Sequence, residues 1–285
     1  MGTLVELLIA PLRYPFMVRG MAAAVMVGIV CAMVGTYMVL RGMAFLGDAL
    51  AHSILPGIAI GYLVSGGSRE PIFWWGLGTG VLTAIGIGAV GKGAQVKEDT
   101  AIGIIFSGMF ALGIALISTM RSYAVDLAHF LFGDVLGVSS GDLWLTAGLA
   151  ALVFVVVFVF YKEFLVLSFD PVLAETLRFP SGFLRYLLLV LIALTIVVAL
   201  QTVGVALMVA MLTTPAATAY LLTKRMAPMM VIAAVLGAVA GVAGLYLSYY
   251  ISVASGAAIV LVSTAIFLLV LLFSPRRGVV WGWLR

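Results

Sequence analysis

Charge is what this sequence has least of. Only 9% of its 285 residues are Asp, Glu, Lys or Arg, where a soluble domain carries about 25%. That shortage excludes an ordinary water-soluble domain. Cysteine is scarcer still: the single Cys31 sits inside an apolar run, which rules out an internal disulfide and any CxxC metal motif. Stretches that alternate apolar and polar residues are missing as well, so a transmembrane barrel is not indicated. The basic residues are scattered between apolar segments, and the formal charge of +4 does not mark a nucleic-acid surface. Glu6, Pro11 and Arg13 interrupt the N-terminal stretch and no clear small-residue cleavage site follows it, so no cleaved signal peptide is expected.

What is abundant is apolar. Hydrophobic residues make up 65% of the chain and the mean hydropathy is +1.28. Long apolar runs of this kind predict an all-α, polytopic membrane bundle. Residues 1–15 read as an interfacial amphipathic segment. About nine spans follow, with eight as the alternative: roughly 16–40, 44–64, 72–90, 101–119, 143–161, 183–200, 203–222, 229–251 and 256–273. Gln201-Thr202 is the expected break between the sixth and seventh spans. The positive-inside rule places the C-terminus in the cytoplasm, because Arg13, Arg19, Arg69 and Arg121 are then the only basic residues outside. The whole of 1–285 is expected to form one transmembrane domain. Pairs of glycines four apart, Gly57/Gly61, Gly76/Gly80 and Gly237/Gly241, suit close helix packing in lipid.

One stretch breaks the apolar pattern. Residues 42–61 read GMAFLGDALAHSILPGIAIG, with Asp48 and His52 four apart and therefore on one helical face. A charged side chain at the centre of a membrane helix costs roughly 2.5–3.5 kcal/mol on insertion scales, so such residues usually face an ion path or a partner. Asp48 is the only carboxylate placed deep in an apolar span. Pro56 is expected to free the His52 carbonyl by removing its helical donor. A carboxylate with an imidazole and no thiolate suits Mn²⁺, Zn²⁺ or Fe²⁺. One such pair is too small a ligand set, and two copies facing each other would supply two carboxylates and two imidazoles. The plainer reading is an Asp–His hydrogen bond that staples two helices.

Other features carry less. His129, near Asp126 and Asp134, reads first as a polar cluster at the outer surface and second as an additional metal site. Met208 and Met211 precede Pro215 in the seventh span, where either a gate or simple helix bending would account for them. Gly86 to Lys92 imitates a phosphate-binding loop, but Gly93 stands where Ser or Thr is required and no strand precedes it. No nucleotide site is therefore expected on this chain. In the segment 168–180, Asp170 before Pro171 opens a short capped helix with Glu175 and Arg178 exposed, a form suited to docking a soluble partner.

With these residues in view, the chain resembles the membrane subunit of the ATP-binding-cassette importers for manganese, zinc and iron. The stretches that carry the resemblance are VLRGMAFLGDALAHSILPGIAIGYL (39–63), HFLFGDVLGV (129–138), SFDPVLAETL (168–177), QTVGVALMVAMLTTPAATAYLLTKRM (201–226) and SGAAIVLVSTAIFLL (255–269). The family pattern often reads GDAxSH, whereas Ala51 precedes His52 here; both ligand positions match. The wording near His129 and in 213–217 is closer to the manganese or iron branch. The resemblance implies a bacterial plasma-membrane permease working as a homodimer or with a similar permease. It implies no permanently bound cofactor, Asp48 and His52 as metal ligands in the pathway, and a cytoplasmic ATPase subunit docked near 170–178. It also implies a separate extracytoplasmic protein that delivers the ion. A stand-alone cation channel or proton-coupled carrier built on Asp48/His52 is the alternative from another class, and an intramembrane enzyme is poorly supported because no HExxH is present.

Overall fold

A computed structural model describes residues 6, 9–66, 68–93, 96–119 and 135–274. Among the described residues all regular structure is helical. The elements are α1 (Pro15–Leu40), α2 (Leu46–Ser53), α3 (Leu55–Ser65), α4 (Arg69–Gly93), α5 (Glu98–Ser118) and α6 (Ser140–Val159). They continue as α7 (Tyr161–Phe169), α8 (Pro171–Thr176), α9 (Ser181–Val203), α10 (Val205–Leu222), α11 (Met226–Ile251) and α12 (Ser255–Phe273). Counting α2 with α3 as one, nine of these segments among the described residues are long and apolar enough to cross a membrane. Large apolar side chains that stay exposed, such as Leu82, Phe158, Val231 and Leu261, are what contact with hydrocarbon requires.

Helix starts and stops follow local chemistry. Gly42 ends α1 with φ at 70°, and the bonds Gly42 N–H to Val39 O and Met43 N–H to Met38 O close the helix around a left-handed residue. Glu98 and Asp99 occupy the first turn of α5, where carboxylates meet the positive end of the helix dipole. Inside the spans, Thr36, Ser53, Thr195, Thr213 and Thr218 each donate a hydroxyl to the carbonyl four residues earlier. These bonds satisfy groups that would otherwise be stranded without water.

Three sequence-based expectations change. The second span is two helices separated at Ile54, and the Ile54 N–H turns back to the His52 carbonyl. That carbonyl is therefore not free. Because the helix stops before Pro56, the proline falls in the first turn of α3, where a missing N–H removes no helical bond. Gln201 and Thr202 remain helical, and the break lies at Gly204, with φ 80° and ψ 170°, a conformation natural only to glycine. The polar interval after residue 161 holds α7 as well as the expected short helix α8.

The described chain packs as two compact units. One takes in the described residues among 1–36, 129–151 and 202–285. There α10, α11 and α12 pack on one another, Gly28 of α1 lies against Gly237 of α11, and Gly35 lies against the Leu212 backbone of α10. The other takes in the described residues among 37–128 and 152–201. There α3 packs on α4, both meet α5, and α2 also packs on α5. Gly57 and Gly61 of α3 sit directly against Trp75, Thr79 and Ile72 of α4, with no space for a side chain. Gly57→Val should force α3 away from α4 and cost about 1–3 kcal/mol as overpacking. The expected result is less folded protein in the membrane and a lower melting temperature in detergent.

Candidate functional site

Asp48 and His52 lie in the first and last turns of the two-turn helix α2, which matches the acid to the positive end of the helix and the imidazole to the negative end. Their Oδ1 and Nε2 atoms are 3.6 Å apart. That is too long for a hydrogen bond. The two side chains keep 42% and 26% of their surface exposed, respectively. Throughout residues 46–59 every position is buried except these two. Among the described residues neither side chain binds a neighbouring helix through a hydrogen bond, so the staple reading has no bond to rest on.

Aromatic rings wall the imidazole. Phe110 meets His52 edge-on at 5.6 Å between ring centroids, and Phe106 stands at 6.5 Å. Phe106 and Phe110 stack on each other at 5.7 Å, and Phe45 closes on Phe106 at 5.8 Å. Sequence reasoning missed this wall, although an i, i+4 pair of phenylalanines on the fourth span was a readable signal. Phe106 and Phe110 stand about 12 and 18 Å along α5 at 1.5 Å per residue, near the middle of its roughly 31 Å. The pair therefore lies level with the middle of α5 although it opens its own helix. Carboxylate and imidazole both point outward from an apolar surround, and both can bind one cation.

At the start of the same α5, Glu98 Oε1 accepts a hydrogen bond from Arg41 Nη2 at 2.7 Å and is ion-paired with Arg185 Nη2 at 2.9 Å. The Arg41 side chain is 10% exposed and the other two 26% each. Burial draws the Arg41 guanidinium below the usual arginine range, and the Glu98 carboxylate opposes that change. Arg41 Nη1 and Arg185 Nε are buried with no hydrogen-bond partner. This cluster was not anticipated from sequence.

Of the remaining candidates, Met208 and Met211 are buried on α10, in the unit that does not hold Asp48 and His52. His129 lies outside the described residues.

Residues 13–274 match the family described as the ABC 3 transport family. The chain belongs to that family. The "Manganese transport system membrane protein MntC" of Halalkalibacterium halodurans is 47% identical over 274 residues, covering 96% of this chain and 92% of the relative. The "Chelated iron transport system membrane protein YfeD" of Yersinia pestis is 38% identical, covering 98% of this chain and 92% of that one. A solved structure, "PsaBC from Streptococcus pneumoniae in complex with Fab", matches with a TM-score of 0.82 at 39% identity over 96% of this chain and 97% of its own. The ABC 3 chain is thus a multi-pass permease subunit of a bacterial importer, with ATP hydrolysis on a separate subunit. The stand-alone channel finds no support among these relatives.

The permease's short helix α8 is built as the sequence suggests. Asp170 Oδ1 accepts from the Leu173 N–H at 2.9 Å, with Pro171 next in line. The helix closes on bonds from Arg178 N–H to Glu175 O and from Phe179 N–H to Ala174 O, with Arg178 at φ 57°. Glycine is the usual occupant of that conformation. Phe169, Val172 and Leu177 are half or more exposed around it, beside exposed Glu175 and Arg178. Asp170→Ala should cost α8 about 1 kcal/mol by loss of the cap, seen as faster amide exchange over residues 172–176. Asp170→Ser, which still caps, should exchange like the wild type.

Proposed function

We propose that this permease imports a divalent transition-metal ion, manganese first and iron or zinc after it, by alternating access. Two copies face each other and hold the ion between paired Asp48 and His52 side chains. The single observation that carries the reading is the outward presentation of those two residues, 3.6 Å from each other, from an otherwise buried stretch. A half-exposed carboxylate at mid-span has no stable place against lipid. A second copy covers it and brings the matching carboxylate, so two negative charges balance one divalent cation. Oxygen and nitrogen donors with no thiolate fit manganese and iron, and the relatives' printed substrates support that choice. Intrinsic affinity order alone would favour zinc, so selection has to come from ligand number and pocket geometry.

The C-terminus and α8 are cytoplasmic in this reading, in line with the distribution of basic residues. The ATPase subunit docks on α8 through Glu175, Arg178 and the exposed apolar residues around them. Asp170 contributes by capping that helix. A metal-binding protein delivers the ion from the other side.

Elemental analysis of cells carrying the complete transporter tests the assignment under manganese, iron or zinc limitation. Asp48→Asn and His52→Ala should each reduce uptake of one metal to background at normal membrane levels, and that metal is the substrate. Uptake that survives both changes would overturn the site and direct the search to His129 and Met211.

A further inference from the structure

The site walled by α5 and the end of α5 that carries Glu98 belong to one rigid rod. Glu98 is the first residue of that helix, and Phe106 and Phe110 against His52 are two and three turns further along. Arg41 stands just before the non-helical residues 42–45 that lead into α2, where Asp48 and His52 begin. Arg185 lies in the second turn of α9, which follows α8 after a four-residue connection. One carboxylate oxygen therefore joins three points: the entry to the Asp48/His52 helix, the foot of the helix that walls His52, and the helix that continues from α8.

The cluster is poorly built as a permanent staple. Two guanidinium groups share a single oxygen, leaving an excess positive charge, and two of their buried nitrogens bond to nothing. A partly satisfied buried polar network is worth less than an apolar contact of the same size. Such a network is retained more readily where it selects one arrangement over another. Gly91 of α4 makes room for Arg185, whose Nη2 rests only 2.8 Å from where a side chain on that glycine would begin. Any larger residue at Gly91 would press on the guanidinium.

We propose that the Arg41–Glu98–Arg185 cluster is the link that transmits movement of α8 and α9 to the Asp48/His52 site. Glu98 is a positioning residue: it touches no metal and acts through α5 and through the turn that opens α2. Displacement of α9 by the partner ATPase pulls Arg185 and Glu98 together and shifts the phenylalanine wall relative to His52. The inference rests on the import reading above.

The test uses the complete transporter, with its ATPase and its metal-delivery protein, in liposomes, and reads manganese taken up per ATP hydrolysed. Glu98→Gln should lower that ratio about tenfold, within the usual range of coupling between sites, while ATP hydrolysis and membrane insertion stay near wild type. Reversing all three charges, with Arg41→Glu, Glu98→Arg and Arg185→Glu, should recover most of the ratio. If Glu98→Gln does not insert, Arg185→Lys, which keeps the charge and loses the planar fork, is read on the same ratio with the same expectation. An unchanged ratio, or uptake and hydrolysis falling in step, would overturn the link and leave a structural staple. Failure of the wild type itself to couple uptake to ATP would count against the import reading, not against the cluster.

Discussion

A charge in hydrocarbon must have a counter-charge, a ligand or water, and that constraint decides where this chain puts its few ionisable groups. The described structure meets it in two opposite ways. At the foot of α5 the charges are turned inward, with Glu98 held by two arginines. Level with the middle of α5 they are turned outward, where Asp48 and His52 have only each other, 3.6 Å apart, among the described residues. The first arrangement completes itself within one chain and the second does not. A stretch buried everywhere except at its two ionisable residues is incomplete in a single copy, and its chemistry has to be finished from outside.

Breaks in the helices are what make that arrangement reachable. A continuous second span would begin at the membrane edge and turn Asp48 toward the headgroups. Instead α1 ends at Gly42, the chain passes through turns to Phe45, and α2 starts level with the middle of α5. Starting a helix inside the membrane exposes unpaired N–H groups, and burial against α4 and α5 is what makes such irregular backbone tolerable there. The glycines of α3 have a related task. They bring α3 so near α4 that the short α2 ahead of it is held at a fixed depth.

Much of this was legible in the sequence because its causes are local. Span number and approximate limits follow from length and hydropathy, and the α8 cap follows from Asp170-Pro171. Asp48 and His52 announce themselves by their surroundings. What escaped had non-local or competing causes. The His52 carbonyl is taken by Ile54 because the helix had already ended before Pro56 could matter. Gly204 ends α9, since a residue free to adopt φ 80° outweighs two polar neighbours that a helix accepts. The Glu98 cluster joins residues from three distant parts of the sequence, and a lone Glu at a helix start gives no hint of two arginines around it.

In the proposed dimer, two ligands per copy is a deliberate shortage. A single chain offering a full set of donors would bind manganese tightly in every conformation and release it slowly. With half the set on each copy, affinity depends on how the copies sit, and a modest separation removes ligands in pairs. An aromatic wall of Phe45, Phe106 and Phe110 limits the water that could replace them. The ion is then released where water has access and is held where it does not. Because α5 carries that wall at its middle and Glu98 at its foot, access and ligand geometry are set by the position of one helix, which is the economical place for a distant ATPase to act.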